Sequence, residues 1–145
     1  MAEQTPLKFV FYIAAPMEKV WEGFVSAESN RAIFSTDFEI ELKPGGQIAW
    51  VGTGPEGKRV AYVHGEVIKA EPPKLLQYTF AIGPTGKFSR VTVELTQESE
   101  ATKVVLAHDQ WAEDDAMYGP TVDGWPRILS RLKTLIETGK TFKPH

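Results

Sequence analysis

The sequence predicts an α+β fold in which a curved antiparallel sheet of six to seven strands wraps one long C-terminal helix. Three observations carry this expectation. An alternating strand near the start is followed at once by two short helical segments. A run of period-two segments with short connections fills the middle, and the chain closes on a long apolar stripe at helical spacing.

The first strand spans Leu7 to Ala14. Leu7, Phe9, Phe11 and Ile13 share one face by the period of two, and Lys8, Val10 and Tyr12 share the other. Pro16 ends it and suits the first turn of a helix. Met17, Val20, Trp21 and Phe24 then form an amphipathic stripe. Residues 26–30 are expected to break that helix before a second short one carrying Ala32, Ile33 and Phe34. The meander that follows is expected at Phe38 to Leu42, Gln47 to Val51, Lys58 to Lys69, Leu75 to Ile82, Lys87 to Gln97 and Thr102 to Gln110, with Pro72 and Pro73 at a corner because proline cannot donate to a central ladder. The last helix is expected over Thr121 to Thr138. Val122, Trp125, Ile128, Leu129, Leu132, Leu135 and Ile136 face the sheet, Arg127, Arg131, Lys133 and Glu137 face outward, and Gly139 terminates the helix. A sheet of this kind needs cover on one face, and this helix is the large element available to supply it.

The 145 residues, read as one domain over 1–145, are enough to bury roughly 68–70% of the unfolded surface. A net charge of -3 without a basic face argues against nucleic acid as a partner. The absence of cysteine removes disulfides, thiolate nucleophiles and sulfur-built zinc sites. The N-terminus has neither a basic nor an apolar signal region, and no segment approaches the ~20 apolar residues of a membrane span. A cytoplasmic protein without membrane insertion is the expectation.

Several segments together resemble a known family: residues 13–21 (Ile-Ala-Ala-Pro-Met-Glu-Lys-Val-Trp), Gly65-Glu66-Val67, Pro72-Pro73-Lys74-Leu75, residues 91–95, Leu106-Ala107-His108, and Gly124-Trp125 leading into the leucine stripe. In this order they are similar to the START-like, or helix-grip, superfamily (SRPBCC), which includes the birch-pollen allergens and polyketide cyclases. More closely, the chain resembles the family named for the C-terminal domain of the activator of heat-shock protein 90 ATPase. The resemblance implies an internal cavity, used by relatives for lipids, plant metabolites or aromatic polyketides. Phe34 stands where the family often has tryptophan, and Pro126 directly follows the Gly-Trp pair; this proline kinks the helix if internal and is harmless in a first turn.

The candidate ligand-facing residues are Phe38, Trp50, Tyr78, Phe80, His108, Trp125 and Leu129. Their aromatic character suits an apolar pocket with few polar groups, which Tyr78 and His108 would supply; plain core packing explains the same residues equally well. Gly65 is read as inward-facing, its missing side chain leaving cavity space. His108 shares a face with Val104 and Leu106, whereas Asp109 points the other way and cannot pair with it. His64 and Glu66 share an outer face without a third metal ligand. His145 is terminal, and Glu113, Asp114 and Asp115 form a solvated loop before the last helix. Residues 52–57 match G-x-G-x-x-G, but the following segment reads as a strand, and a dinucleotide site needs a helix there. No nucleophile elbow and no inward carboxylate pair is present.

Three functions stay open on these grounds. The first is binding of a small apolar or aromatic ligand. The second is a chaperone-regulating interaction module; a protein partner or a weak homodimer is left open separately. The third is a cyclase- or hydrolase-type enzyme using His108. No cofactor and no metal is expected.

Overall fold

The computed structural model describes residues 4–83 and 86–143, so His145 lies outside them. The elements run β1 (Leu7–Ile13), α1 (Met17–Val25), α2 (Ala27–Phe34), β2 (Asp37–Ile40), β3 (Gln47–Thr53), β4 (Arg59–Glu71), β5 (Leu75–Ile82), β6 (Ser89–Glu98), β7 (Ala101–Asp109) and α3 (Tyr118–Thr138). The seven strands form one antiparallel sheet in the order β1-β7-β6-β5-β4-β3-β2. Short connections from β2 to β7 make sequential strands neighbours, and β1 closes onto β7 with Leu7 opposite His108 and Ile13 opposite Thr102. The glycine-rich segment holds a single 3-10 turn at Pro55–Gly57 and leads into β4, a strand, so no α-helix follows it to offer an N-terminus to a pyrophosphate.

The concave face of the sheet, α1, α2 and α3 enclose a continuous core that includes Ile13, Val20, Trp21, Ile48, Val67, Val93, Val104, Leu106 and Leu132. The helical corner is tighter than the sequence suggests. Only Ser26 separates the two short helices; its N–H bonds to Glu22 O at the end of α1, and its Oγ accepts from Ser29 N at the start of α2. Asn30 therefore lies within α2 and is 3% exposed. Its amide donates to the carbonyls of Phe24 and Ser26, and its Oδ1 accepts from the Trp50 indole at 2.9 Å. β2 stops at Ile40 rather than Leu42, which is left exposed.

α3 begins at Tyr118, so Pro126 sits in the helix interior and not in its first turn. The ring removes the N–H that would reach the Val122 carbonyl, and both residues are exposed, where water can serve the carbonyl instead. Two positions reverse the predicted faces. Val122 is outward, 38% exposed, while Arg131 is buried and donates from Nε to Ile33 O at 3.0 Å, serving a carbonyl in the last turn of α2. Burial lowers the Arg131 pKa, with Arg127 adding to the shift. Leu129, Leu132 and Ile136 point inward as expected, and Gly139 ends the helix at φ 84°.

Gly65 does not create cavity space. A Cβ there would stand 1.8 Å from the Thr79 carbonyl oxygen, so glycine is required by the close approach of β5. The acidic loop is not wholly solvated either: Asp115 is 9% exposed and accepts the Met117 N–H, while Asp114 pairs with Lys87.

Candidate functional site: an apolar cavity backed by a buried histidine

His108 ends the inward row of β7 and is fully buried. The Trp125 indole donates to its Nδ1 at 2.9 Å. An indole nitrogen can only donate, so Nδ1 carries a lone pair and the neutral ring holds its proton on Nε2. Nε2 then donates to Ser89 Oγ at 2.6 Å, and Ser89 donates to Phe80 O at 3.2 Å. Trp111 stacks on the imidazole at 4.1 Å and gives its N–H to His108 O. Desolvation pushes the His108 pKa down to about 3, against the opposing charge of Asp109. Asp109 itself faces the other side of the sheet, in a two-bond pair with Arg90. Neither nitrogen of His108 is free, and the ring stays neutral at pH 7.

In front of this group lies a cavity of about 280 Å³ between the sheet and the N-terminal half of α3. The sheet contributes Trp50, Val63, Phe80 and Ile82; α3 contributes Pro120, Thr121, Gly124, Trp125 and Ile128; Phe34 and Thr36 close the α2–β2 corner. Tyr62, 44% exposed, stands at the outer rim. Among the described residues no charged side chain lines it. A second hollow of about 30 Å³, room for about one water, shares Phe34, Trp50, Trp125 and Ile128 with the first and is also walled by Tyr78 and Leu129.

Of the sequence-chosen residues, Trp50, Phe80 and Trp125 stand on the wall of the larger cavity. Tyr78 and Leu129 line the small hollow and not the larger cavity, and burial raises the Tyr78 phenol far above its usual range. Phe38 lines neither and packs behind Trp50 at 4.9 Å. His108 also lines neither, and touches Phe80 at 4.8 Å and Trp125 at 6.0 Å. Thr36, Tyr62, Val63 and Gly124 line the cavity and were not singled out for it from sequence. Tyr62 was hidden by a register shift. Trp50 faces Val63 but Val51 faces Ala61, leaving Tyr62 as the extra residue of a β-bulge. A bulge lets two successive residues reach one face, which regular alternation forbids.

The sequence pattern described as "Activator of Hsp90 ATPase homolog 1-like protein" matches residues 14–137. The chain belongs to this family. Among curated proteins none matches it. A solution structure from Cytophaga hutchinsonii is similar over 96% of this chain and 98% of that one, with 29% identity and a TM-score of 0.76. A Rhodobacter sphaeroides protein covers 93% and 91%, with 26% identity and a TM-score of 0.73. An HSP90 activator from Plasmodium falciparum has the same fold at 18% identity and a TM-score of 0.73, over 90% of this chain and 95% of that one. No helix among the described residues is long and apolar enough to cross a membrane.

Proposed function

We propose that this protein binds a small, largely apolar or aromatic molecule in the cavity between its sheet and α3. The supporting observation is the cavity itself: about 280 Å³, lined mostly by aromatic and aliphatic side chains and by no charged one among the described residues. That is roughly twice the ~150 Å³ void that takes up benzene in an engineered core, so a molecule of about two fused rings fits. The state of His108 favours binding over catalysis: it lies behind the wall, both its nitrogens are occupied and its pKa lies far below neutrality. Trp50 and Trp125 would report occupancy by fluorescence.

The test is a thermal-shift and fluorescence titration with neutral two-ring aromatics, run beside Gly124→Leu. A Cβ at Gly124 meets nothing within 4 Å, so the larger side chain extends into open space on the cavity wall. Saturable stabilisation in the wild type, lost in a folded Gly124→Leu, supports the reading. Equal binding by both proteins, or none by either, removes it. The family description supports a second reading, a module that regulates a chaperone through a protein partner. Chaperone binding that persists in Gly124→Leu would favour that reading.

A further inference from the structure

The polar atoms around the larger cavity are unevenly committed. The indoles of Trp50 and Trp125 each have a single N–H, and both are spent, on Asn30 Oδ1 and His108 Nδ1. The Thr121 hydroxyl donates to Met117 O at 2.7 Å. The other two hydroxyls of the wall are held less well. Tyr62 makes a long bond of 3.2 Å to Thr53 O at the exposed rim. Thr36 Oγ1 is buried and has no hydrogen-bond partner among the described residues. A buried hydroxyl without a partner is costly and rare enough to call for an explanation.

These two residues converge on one point of the sheet. Asp37 pairs with Val51, so extending that register by one places Thr36 opposite Gly52. From the other side the Tyr62 ring covers Gly52, where an added Cβ would lie 2.4 Å from it. The bulge on β4 turns Tyr62 to this position, and the bare Gly52 backbone leaves room for the ring. One staggered step about χ1 separates the buried Thr36 hydroxyl from the other positions on its Cβ. The deep end of the cavity is thus apolar and aromatic, while the unpartnered Thr36 hydroxyl and the weakly bonded Tyr62 hydroxyl belong to residues on either side of Gly52.

We infer that the ligand is a neutral amphipathic molecule of about two fused rings bearing one hydroxyl or carbonyl group, its apolar body against Trp50, Phe80 and Trp125 and its polar group between Thr36 and Tyr62. This rests on the ligand-binding reading above and adds chemistry and orientation. An ionised group is disfavoured because no charged side chain among the described residues lines the wall and desolvation would be uncompensated.

The experiment compares naphthalene, 2-naphthol and 2-naphthoate as probes by tryptophan fluorescence on the wild type, Thr36→Val, Thr36→Ser and Tyr62→Phe. The ratio of 2-naphthol to naphthalene affinity should fall about tenfold in Thr36→Val, the value of one hydrogen bond. It should fall less in Tyr62→Phe and return in Thr36→Ser. Retained naphthalene binding shows that each variant is folded with its cavity intact. Binding of both neutral probes with the same ratio in all four proteins overturns this inference and leaves the ligand-binding reading standing. Tighter binding of 2-naphthoate overturns it as well. Failure of the wild type to bind any probe brings down both.

Discussion

The Trp125 indole donates to Nδ1 of His108 at 2.9 Å, joining the middle of α3 to the end of β7. The bond sets the imidazole tautomer, and the tautomer decides that Ser89 receives the other proton. The aromatic wall of the cavity, Phe80 and Trp125, is thereby held against a ring with no unused polar atom.

Replacing Trp125 by Phe should cost about 1–3 kcal/mol beyond any lost packing, because Nδ1 stays buried without its donor. Nitrogen NMR of the imidazole provides the check. The wild type should show a proton on Nε2 alone, and a Trp125→Phe spectrum with that tautomer unchanged, alongside unchanged stability, would contradict the assignment.

Stability should fall with acid before the carboxylates titrate. His108 has a folded pKa of about 3 against an ordinary 6.5. Between these values the unfolded chain binds a proton that the folded ring does not, so stability is complete above pH 6.5 and declines towards pH 3. From pH 6.5 to 5 the loss should be on the order of 2 kcal/mol. Urea unfolding across that range measures it, and His108→Gln should flatten the slope. A wild-type curve already flat there would show that the ring is not held neutral.

Leu132 is 2% exposed where α3 meets the core. Leu132→Ala should destabilise by about 2–5 kcal/mol. A loss below about 0.5 kcal/mol in denaturant unfolding would be incompatible with that burial.

The two glycines should behave in opposite ways. Gly65→Ala forces a Cβ onto the Thr79 carbonyl and should reach the upper end of the about 1–3 kcal/mol cost of overpacking, or exceed it. Gly124→Ala meets open space in a helix and should stabilise by up to about 1 kcal/mol. In thermal melts of the pair, joint destabilisation would refute the account of Gly124 and joint stabilisation that of Gly65.

Much of the fold is legible in the chain because it rests on local periodicity. Leu7, Phe9, Phe11 and Ile13 alternate and face inward; Met17, Val20, Trp21 and Phe24, and Leu129 with Leu132 and Ile136, repeat at helical spacing and pack into the core. Arg131 escapes the pattern because charge alone suggests exposure, and only the neighbouring α2 end supplies the carbonyl that permits burial. Asn30 reads as a helix breaker until Trp50 is brought to its side. The candidate site was legible in its aromatic wall, Trp50, Phe80 and Trp125, and not in Thr36 and Tyr62. Thr36 lies in a junction between elements, and Tyr62 reaches the cavity through a register shift that no alternation rule anticipates.

The sequence by itself determined the order of elements, the single antiparallel sheet, the covering helix and the inward row ending at His108, since spacing along the chain dictates which side chains share a face. Tertiary structure alone decided where space remains and which polar atoms are satisfied. Those depend on contacts between residues far apart in the chain, such as His108 with Ser89 and Trp125, or Gly65 with Thr79, and on the few ångströms by which packed elements fail to meet.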